Sequence, residues 1–199
     1  YLSRGLGDVY KRQLLDSSLA IESLEKIGKP DVLVGQFEIP MNVNEEVFSY
    51  AYKNGVQTVL NPAPANKPTN VLLENTSWFI PNEVEFEEIY GEVFNEDNLL
   101  LFANDLKTNV VVTLGEKGCA YIKNNSVEIM NTDTVKAVDT TGAGDAFVGA
   151  FSFGVASKLE IEECLKLALQ KATDSVTKKG TQSSYCLLYT SPSPRDRYG

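Results

Sequence analysis

The sequence predicts an α/β fold: a largely parallel sheet forming the middle of three layers, with helices on both faces. Short apolar runs rich in β-branched residues, each ending in turn residues, alternate with amphipathic stretches of helical period. A hairpin pattern and two further helical stripes follow, and no internal repeat or low-complexity linker interrupts the order.

The elements are read in order. "DVLVGQ" (31–36) is a strand, "NEEVFSYAYKNG" (44–55) a helix and "VQTVLN" (56–61) the next strand. "SWFIP" (77–81) is a third strand, followed by the helices "NEVEFEEIYG" (82–91) and "NEDNLLLFANDL" (95–106). "NVVVTL" (109–114) is a fourth strand. "GCAYIKNNSVEIMN" (118–131) reads as strand, Asn-Asn-Ser turn, strand, an antiparallel hairpin. Phe147, Ala150, Phe151 and Val155 line one face of a helix. Ile161, Cys164, Leu165, Ala168, Leu169, Ala172 and Val176 line a second at i, i+3, i+4, i+7 spacing. Glu162 and Glu163 should open that last helix, and Lys178, Lys179 and Gly180 should close it. Ligands of open α/β sheets bind beyond the carboxyl ends of the strands. Glu38, Asn61, Asn82, Gly115 and Asp139 all follow predicted strand ends and are expected to converge there.

The chain has 199 residues, 43% of them hydrophobic, and a formal charge of −9. An acidic balance argues against nucleic-acid or anionic-membrane partners, and no apolar run approaches the ~20 residues of a membrane span. With no histidine, Ser-His-Asp, Cys-His and His-metal chemistry are excluded, leaving Asp, Glu, Lys and backbone amides. Cys119, Cys164 and Cys186 are widely spaced and form no C-x-x-C, so the expected compartment is reduced and cytoplasmic.

The two ends are of another kind. "SRGLGDVYKRQ" near the start and "CLLYTSPSPR" near the end can both be read from opposite strands of one DNA segment with suitable codons, which looks like a transposase adapter translated with the insert. Residues 1–13 and 186–199 are therefore expected to be adapter-derived and 14–185 to be the folded domain, a part cut from a longer chain.

"AVDTTGAGDAFVGAF" (137–151) sets a carboxylate, Asp145, after a Gly-Ala-Gly turn and at the start of a helix. A Walker A loop would need lysine where Ala150 stands, and a dinucleotide fingerprint would need a third glycine before 149. A third reading takes Gly142, Ala143 and Gly144 as a backbone anion hole at a helix N-terminus, with Asp145 as the base for a hydroxyl nucleophile. An ordinary first-turn aspartate, worth ~0.3–1 kcal/mol through the helix dipole, remains open on spacing alone. Asn82 and Glu85 read by themselves as a capping box.

"VDTTGAGDAFVGAF" closely resembles the C-terminal signature of the ribokinase-like (PfkB) family of sugar and nucleoside kinases. "QFEIP" (36–40), "NPAPA" (61–65), "PNEVE" (81–85), "TLGEKG" (113–118) and "SVTKKGTQSS" (175–184) follow in the family's order. The resemblance covers the insert and the C-terminal portion of such an enzyme. It implies a three-layer, Rossmann-like sheet truncated at its N-terminus and ATP-dependent phosphorylation of D-ribose to ribose 5-phosphate in the intact parent. Another sugar, a nucleoside, or nucleotide and sugar binding without catalysis stand as alternatives.

What the resemblance implies extends to residues. Asp145 would be the catalytic base, and Gly142, Ala143 and Gly144 the anion hole. Glu38 would hold sugar hydroxyls, with no ligand assigned to Asn61. Asn82, Thr113, Leu114, Gly115, Glu116, Lys117 and Gly118, with Gly144 and Asp145, would meet ATP, and Glu85 the Mg²⁺. Asp139, Thr141, Ser175, Lys178, Gly180 and Ser184 would surround K⁺, mostly through carbonyls. Leu169, with Gln170 beside it, stands where the family often has Asn or His near the adenine. The missing part would carry the lid, most sugar contacts and the surface of a homodimer. The 199-residue chain itself is then expected to be inactive, with an apolar sheet edge uncovered.

Overall fold

A computed structural model of the chain describes residues 11–106 and 108–181. Helix α1 (Ser17–Ile27) leads into β1 (Val32–Gln36), α2 (Met41–Lys53), β2 (Gln57–Asn61) and α3 (Asn70–Glu74). Next come β3 (Trp78–Phe79), α4 (Glu83–Tyr90), α5 (Glu96–Leu106) and β4 (Asn109–Thr113). A 3₁₀ turn (Gly115–Lys117) precedes β5 (Cys119–Lys123) and β6 (Ser126–Met130), and α6 (Ala143–Ala156) and α7 (Ile161–Val176) close the order. The strands form one six-stranded sheet in chain order; β1 to β4 run parallel, β5 and β6 antiparallel.

That order settles the layers. Parallel neighbours joined in sequence by right-handed crossovers place every connecting helix on the same face. Accordingly Phe48, Leu72, Phe86, Leu99 and Phe102 from α2 to α5 share one core with Leu60, Phe79, Val110 and Val112. The opposite face is covered by α6 and α7, whose Phe147, Phe151, Cys164, Leu165 and Ala168 pack on Val59, Ile80, Val111 and Tyr121. In β4 the alternation is plain: Val110 and Val112 enter the first core and Val111 the second. Phe86 is fully buried and meets Phe102 edge-on at 5.1 Å; truncating such a phenylalanine costs about 3–5 kcal/mol.

Three details differ from the sequence reading. The hairpin turn is the two-residue Asn124–Asn125, with φ of 50° and 62°, and Ser126 already belongs to β6. Two left-handed residues match the strand twist, and asparagine tolerates that conformation. α7 ends at Val176, not at Lys178–Gly180. Thr177 caps it, its N–H donating to the Asp174 and Ser175 carbonyls, so the lysines lie beyond the helix. α1 is an element the sequence reading lacks, although Ala20, Ile21 and Leu24 form a half-buried stripe at helical spacing; Asp16 starts it, accepting from Ser18 N at 2.9 Å and Leu19 N at 3.3 Å. Among the described residues β1 is an outer strand of the sheet, and its Val34 is 45% exposed.

Candidate active site

Four parallel strands end at one edge, and their last residues and following turns carry the polar groups. Beyond β3, Asn82 caps α4: its Oδ1 accepts from Glu85 N at 2.8 Å, and Glu85 Oε2 accepts from Asn82 N at 2.9 Å. The predicted capping box is therefore formed. Glu85 is only 8% exposed. Burial raises its pKa, with the Asn82 N–H opposing and the Glu88 charge assisting. Asn82 also forms an isolated parallel bridge with Thr113 of β4. This sets the start of α4 beside the 113–118 turn, where Lys117 Nζ reaches Glu83 at 3.8 Å.

That turn is closed by Leu114 N donating to Gly118 O at 2.8 Å and Gly118 N to Gly115 O at 3.1 Å. Gly118 must be glycine: its φ is +101°, and a Cβ would fall 2.0 Å from the Met130 carbonyl. Leu114 corrects one expectation in part. It is 4% exposed and belongs to the core beneath α2 to α5, so only its backbone can face a ligand.

The glycine run starts a helix, but the Ala143 N–H expected in the anion hole is engaged within the turn. Gly142 is the N-cap of α6 with φ of +80°, a conformation glycine adopts without strain. The Ala143 N–H turns to the Thr140 carbonyl at 3.3 Å, and the first bond of the helical ladder is Ala146 N to Gly142 O at 2.9 Å. The amides of Gly144 and Asp145 thus precede the ladder, where the helix dipole favours an anion. Asp145 is exposed, in the first turn.

Asp139 does not follow a strand, contrary to expectation. β6 ends at Met130, and an irregular segment returns to the start of α6, held where Val138 N and Asp139 N donate to Val176 O at 2.7 and 3.2 Å. From there Asp139 ties two loops. Its Oδ1 accepts from Thr141 N at 3.0 Å and its Oδ2 from Gly180 N at 3.1 Å. The Thr141 backbone N–H, then the Thr141 hydroxyl and the Gly180 N–H, hold its pKa below the ordinary carboxylate value. Asp139, Thr141 and Gly180 are thereby brought together beside the last turn of α7. Lys178 N lies 3.4 Å from the Ser175 carbonyl, and Ser184 lies outside the described residues.

Two cavities flank the start of α6. One, of about 460 Å³, is bounded by Thr113, Gly115, Gly118, Gly144, Leu169 and Thr173. The other, of about 640 Å³, is bounded by Gln36, Glu38, Pro64 and Asp145, with Arg12 and Gln13 at its side. Glu38 is ion-paired there with Arg12, and Gln13 Nε2 donates to the Glu38 carbonyl at 2.8 Å. One side chain given no role in the sequence reading stands out, that of Gln36. Gln36 Nε2 lies 3.1 Å from both Asp145 Oδ1 and Asn61 Oδ1. The available signal was register: Gln36 closes β1 directly opposite Asn61, which closes β2.

A magnesium ion keeps several waters and takes one or two carboxylates plus substrate phosphates. Glu85 fits the carboxylate part, with one oxygen already engaged by Asn82 N. No group of three or more His, Cys, Asp or Glu forms a metal cage among the described residues. No helix among them is long and apolar enough to cross a membrane.

Residues 10–186 match the model of the pfkB family carbohydrate kinases. The chain is 33% identical over 170 residues to the ribokinase of Lactococcus lactis, covering 85% of this chain and 55% of that one. It is 35% identical over 167 residues to a deoxyribokinase of Salmonella typhi, covering 81% and 55%. The structure of Arabidopsis thaliana ribokinase complexed with ribose and ATP is similar at TM-score 0.72 and 28% identity, over 77% of this chain and 52% of that one. Thermotoga maritima ribokinase is similar at TM-score 0.72 and 30% identity, over 87% and 57%. The chain spans about half the length of the curated relatives it matches.

Proposed function

The chain belongs to the pfkB family of carbohydrate kinases, and on that premise we propose that it is the nucleotide-binding part of an ATP-dependent kinase for D-ribose. One observation supports this above the others: the N-terminus of α6 stands between two cavities, with Gly144 on one and Asp145 on the other. The 460 Å³ cavity is the site for ATP, whose phosphates reach Asn82 and the Thr113–Gly118 turn. The 640 Å³ cavity is the site for the sugar, with Glu38 accepting from its hydroxyls.

Between them Asp145 takes the proton of the sugar's primary hydroxyl. The freed oxygen bonds to the γ-phosphorus as the bond to the ADP oxygen breaks. The amides of Gly144 and Asp145, which precede the helical ladder, stabilise the charge on the phosphoryl oxygens in flight. Such preorganised donors are worth about 3 kcal/mol each in the transition state, and phosphoryl transfer is mostly positioning and charge stabilisation. Mg²⁺, held through Glu85, would neutralise phosphate charge, and K⁺ would lie in the loops tied by Asp139. The Salmonella typhi relative is a deoxyribokinase at 35% identity, so 2-deoxyribose is the competing acceptor.

Because the relatives are about twice as long, the activity is assigned to the complete reading frame; the 199-residue chain alone is expected to be inactive. The test is turnover of that frame with ATP, Mg²⁺ and K⁺ on ribose, deoxyribose, fructose and adenosine. Asp145→Asn should collapse kcat by at least ~100-fold, the low end of general-base contributions, with ATP binding nearly intact. Survival of turnover would remove the base assignment.

A further inference from the structure

The strand ends that hold Asp145 form a chain of amides whose polarity is set by one backbone carbonyl. Asn61 Nδ2 lies 2.8 Å from the Ile80 carbonyl oxygen. A carbonyl only accepts, so the Asn61 amide must turn its NH₂ to Ile80 and its Oδ1 to Gln36. That oxygen also only accepts, so Gln36 must present its own NH₂, 3.1 Å away. One Gln36 N–H is then used on Asn61, and the other points at Asp145 Oδ1, also at 3.1 Å. The main chain is held as well. Asn44, 1% exposed, donates from Nδ2 to the Gln36 carbonyl at 2.9 Å. At Gly35 a Cβ would come 2.5 Å from the Phe48 ring, so β1 lies hard against α2.

The geometry points to Gln36 as a positioning residue for Asp145, with Asn61 fixing which way its amide faces. Held by a donor on Oδ1, the Asp145 carboxylate is oriented at the rim of the Glu38 cavity, and Oδ2 remains to receive the proton of the alcohol. A flipped amide would put a carbonyl oxygen against the carboxylate and turn it away. This inference rests on the proposed base role of Asp145.

The test is made in the complete kinase with Gln36→Leu, Asp145→Asn and the double variant. Gln36→Leu should lower kcat roughly ten- to hundred-fold, as loss of a hydrogen bond to a charged group does, with KM for sugar and ATP within about two-fold. The double variant should be no slower than Asp145→Asn, because a residue acting through another adds nothing once that other is gone. Losses that multiply, a loss carried by KM, or a silent Gln36→Leu beside a collapsed Asp145→Asn would each overturn the inference alone. Full turnover in Asp145→Asn would instead remove the base reading, and the inference with it. Side-chain amide NMR of the 199-residue chain supplies a readout independent of turnover. One Gln36 Nε2 proton resonance should move on Asp145→Ala and the other on Asn61→Ala; if neither moves, the relay is absent.

Discussion

Asn82 and Glu85 combine a helix cap with a proposed metal ligand, and two substitutions separate those roles. Asn82→Ala removes the oxygen that accepts the Glu85 N–H at 2.8 Å. Losing such a cap costs about 1 kcal/mol, which for a unit of roughly 170 residues lowers Tm by about 2–4 °C. Glu85→Gln acts differently. A glutamine oxygen can still accept from Asn82 N, now 2.9 Å away, so the box survives. What disappears is a buried charge. Burial raises the Glu85 pKa, the Asn82 N–H opposing and Glu88 adding to it. An acid that holds its proton more tightly in the folded state weakens the fold when charged. That penalty is absent below the ordinary carboxylate value and complete once pH has risen past the raised one. At neutral pH the Gln variant should therefore melt at or above the native temperature, and the difference should close near about pH 4. Thermal melts followed by circular dichroism between those limits make the measurement. A Gln variant that loses as much as Asn82→Ala at neutral pH would refute the desolvation argument, since the charge itself would then be what the cap requires. In the complete kinase Glu85→Gln should raise the Mg²⁺ concentration for half-maximal turnover.

Three further outcomes follow from the same geometry. Asp139→Asn should destabilise above the ordinary carboxylate range, where the N–H groups of Thr141 and Gly180 favour the charged form. The gap in urea midpoint should shrink as pH falls through the lowered native pKa; a gap of equal size at every pH would sink the idea. Cys119 is fully buried and its thiol is pushed up to about 12, so at about pH 8 only about one molecule in ten thousand carries the thiolate. Iodoacetamide should spare the Cys119 peptide in the folded chain and modify it in urea, as read by mass spectrometry; rapid labelling of the folded chain would mean that β5 opens. Arg12 and Glu38 pair with side chains 45% and 48% exposed, and exposed pairs contribute about 0–1 kcal/mol. Arg12→Ala should thus move Tm by no more than about 2–4 °C while shifting the Glu38 carboxylate NMR signal. A larger fall in Tm would make the segment before α1 part of the fold.

What could be read from the sequence depends on how far each residue's partner lies along the chain. Strands β1 to β4 are apolar runs ended by turn residues, and the hairpin and the stripes of α6 and α7 are equally local patterns, so nearby residues announced them. α3 has five residues, too few for a stripe, whereas the stripe of α1, Ala20, Ile21 and Leu24, is legible but only half-buried. The same rule governs the site. Asn82 meets Glu85 three positions on, and Gly142 shapes a helix it begins; both were legible. Gln36 meets Asp145 across 109 residues, through a contact that exists only because the end of β1 and the start of α6 reach the same sheet edge. Strand-end reasoning placed Glu38 and Asn61 at that edge but could not tell which neighbouring amide would face a carboxylate. Asp139 failed for the converse reason. Its backbone N–H bonds to Val176 of α7 and not to a neighbouring strand, so a polar residue after an apolar pair imitated a strand end. "AVDTTGAGDAFVGAF" therefore carries the proposed base and its neighbouring helix N-terminus locally, while the proposed orientation of that base depends on β1 and β2. A substitution there, far away in sequence, should be felt at Asp145 before it is felt in the fold.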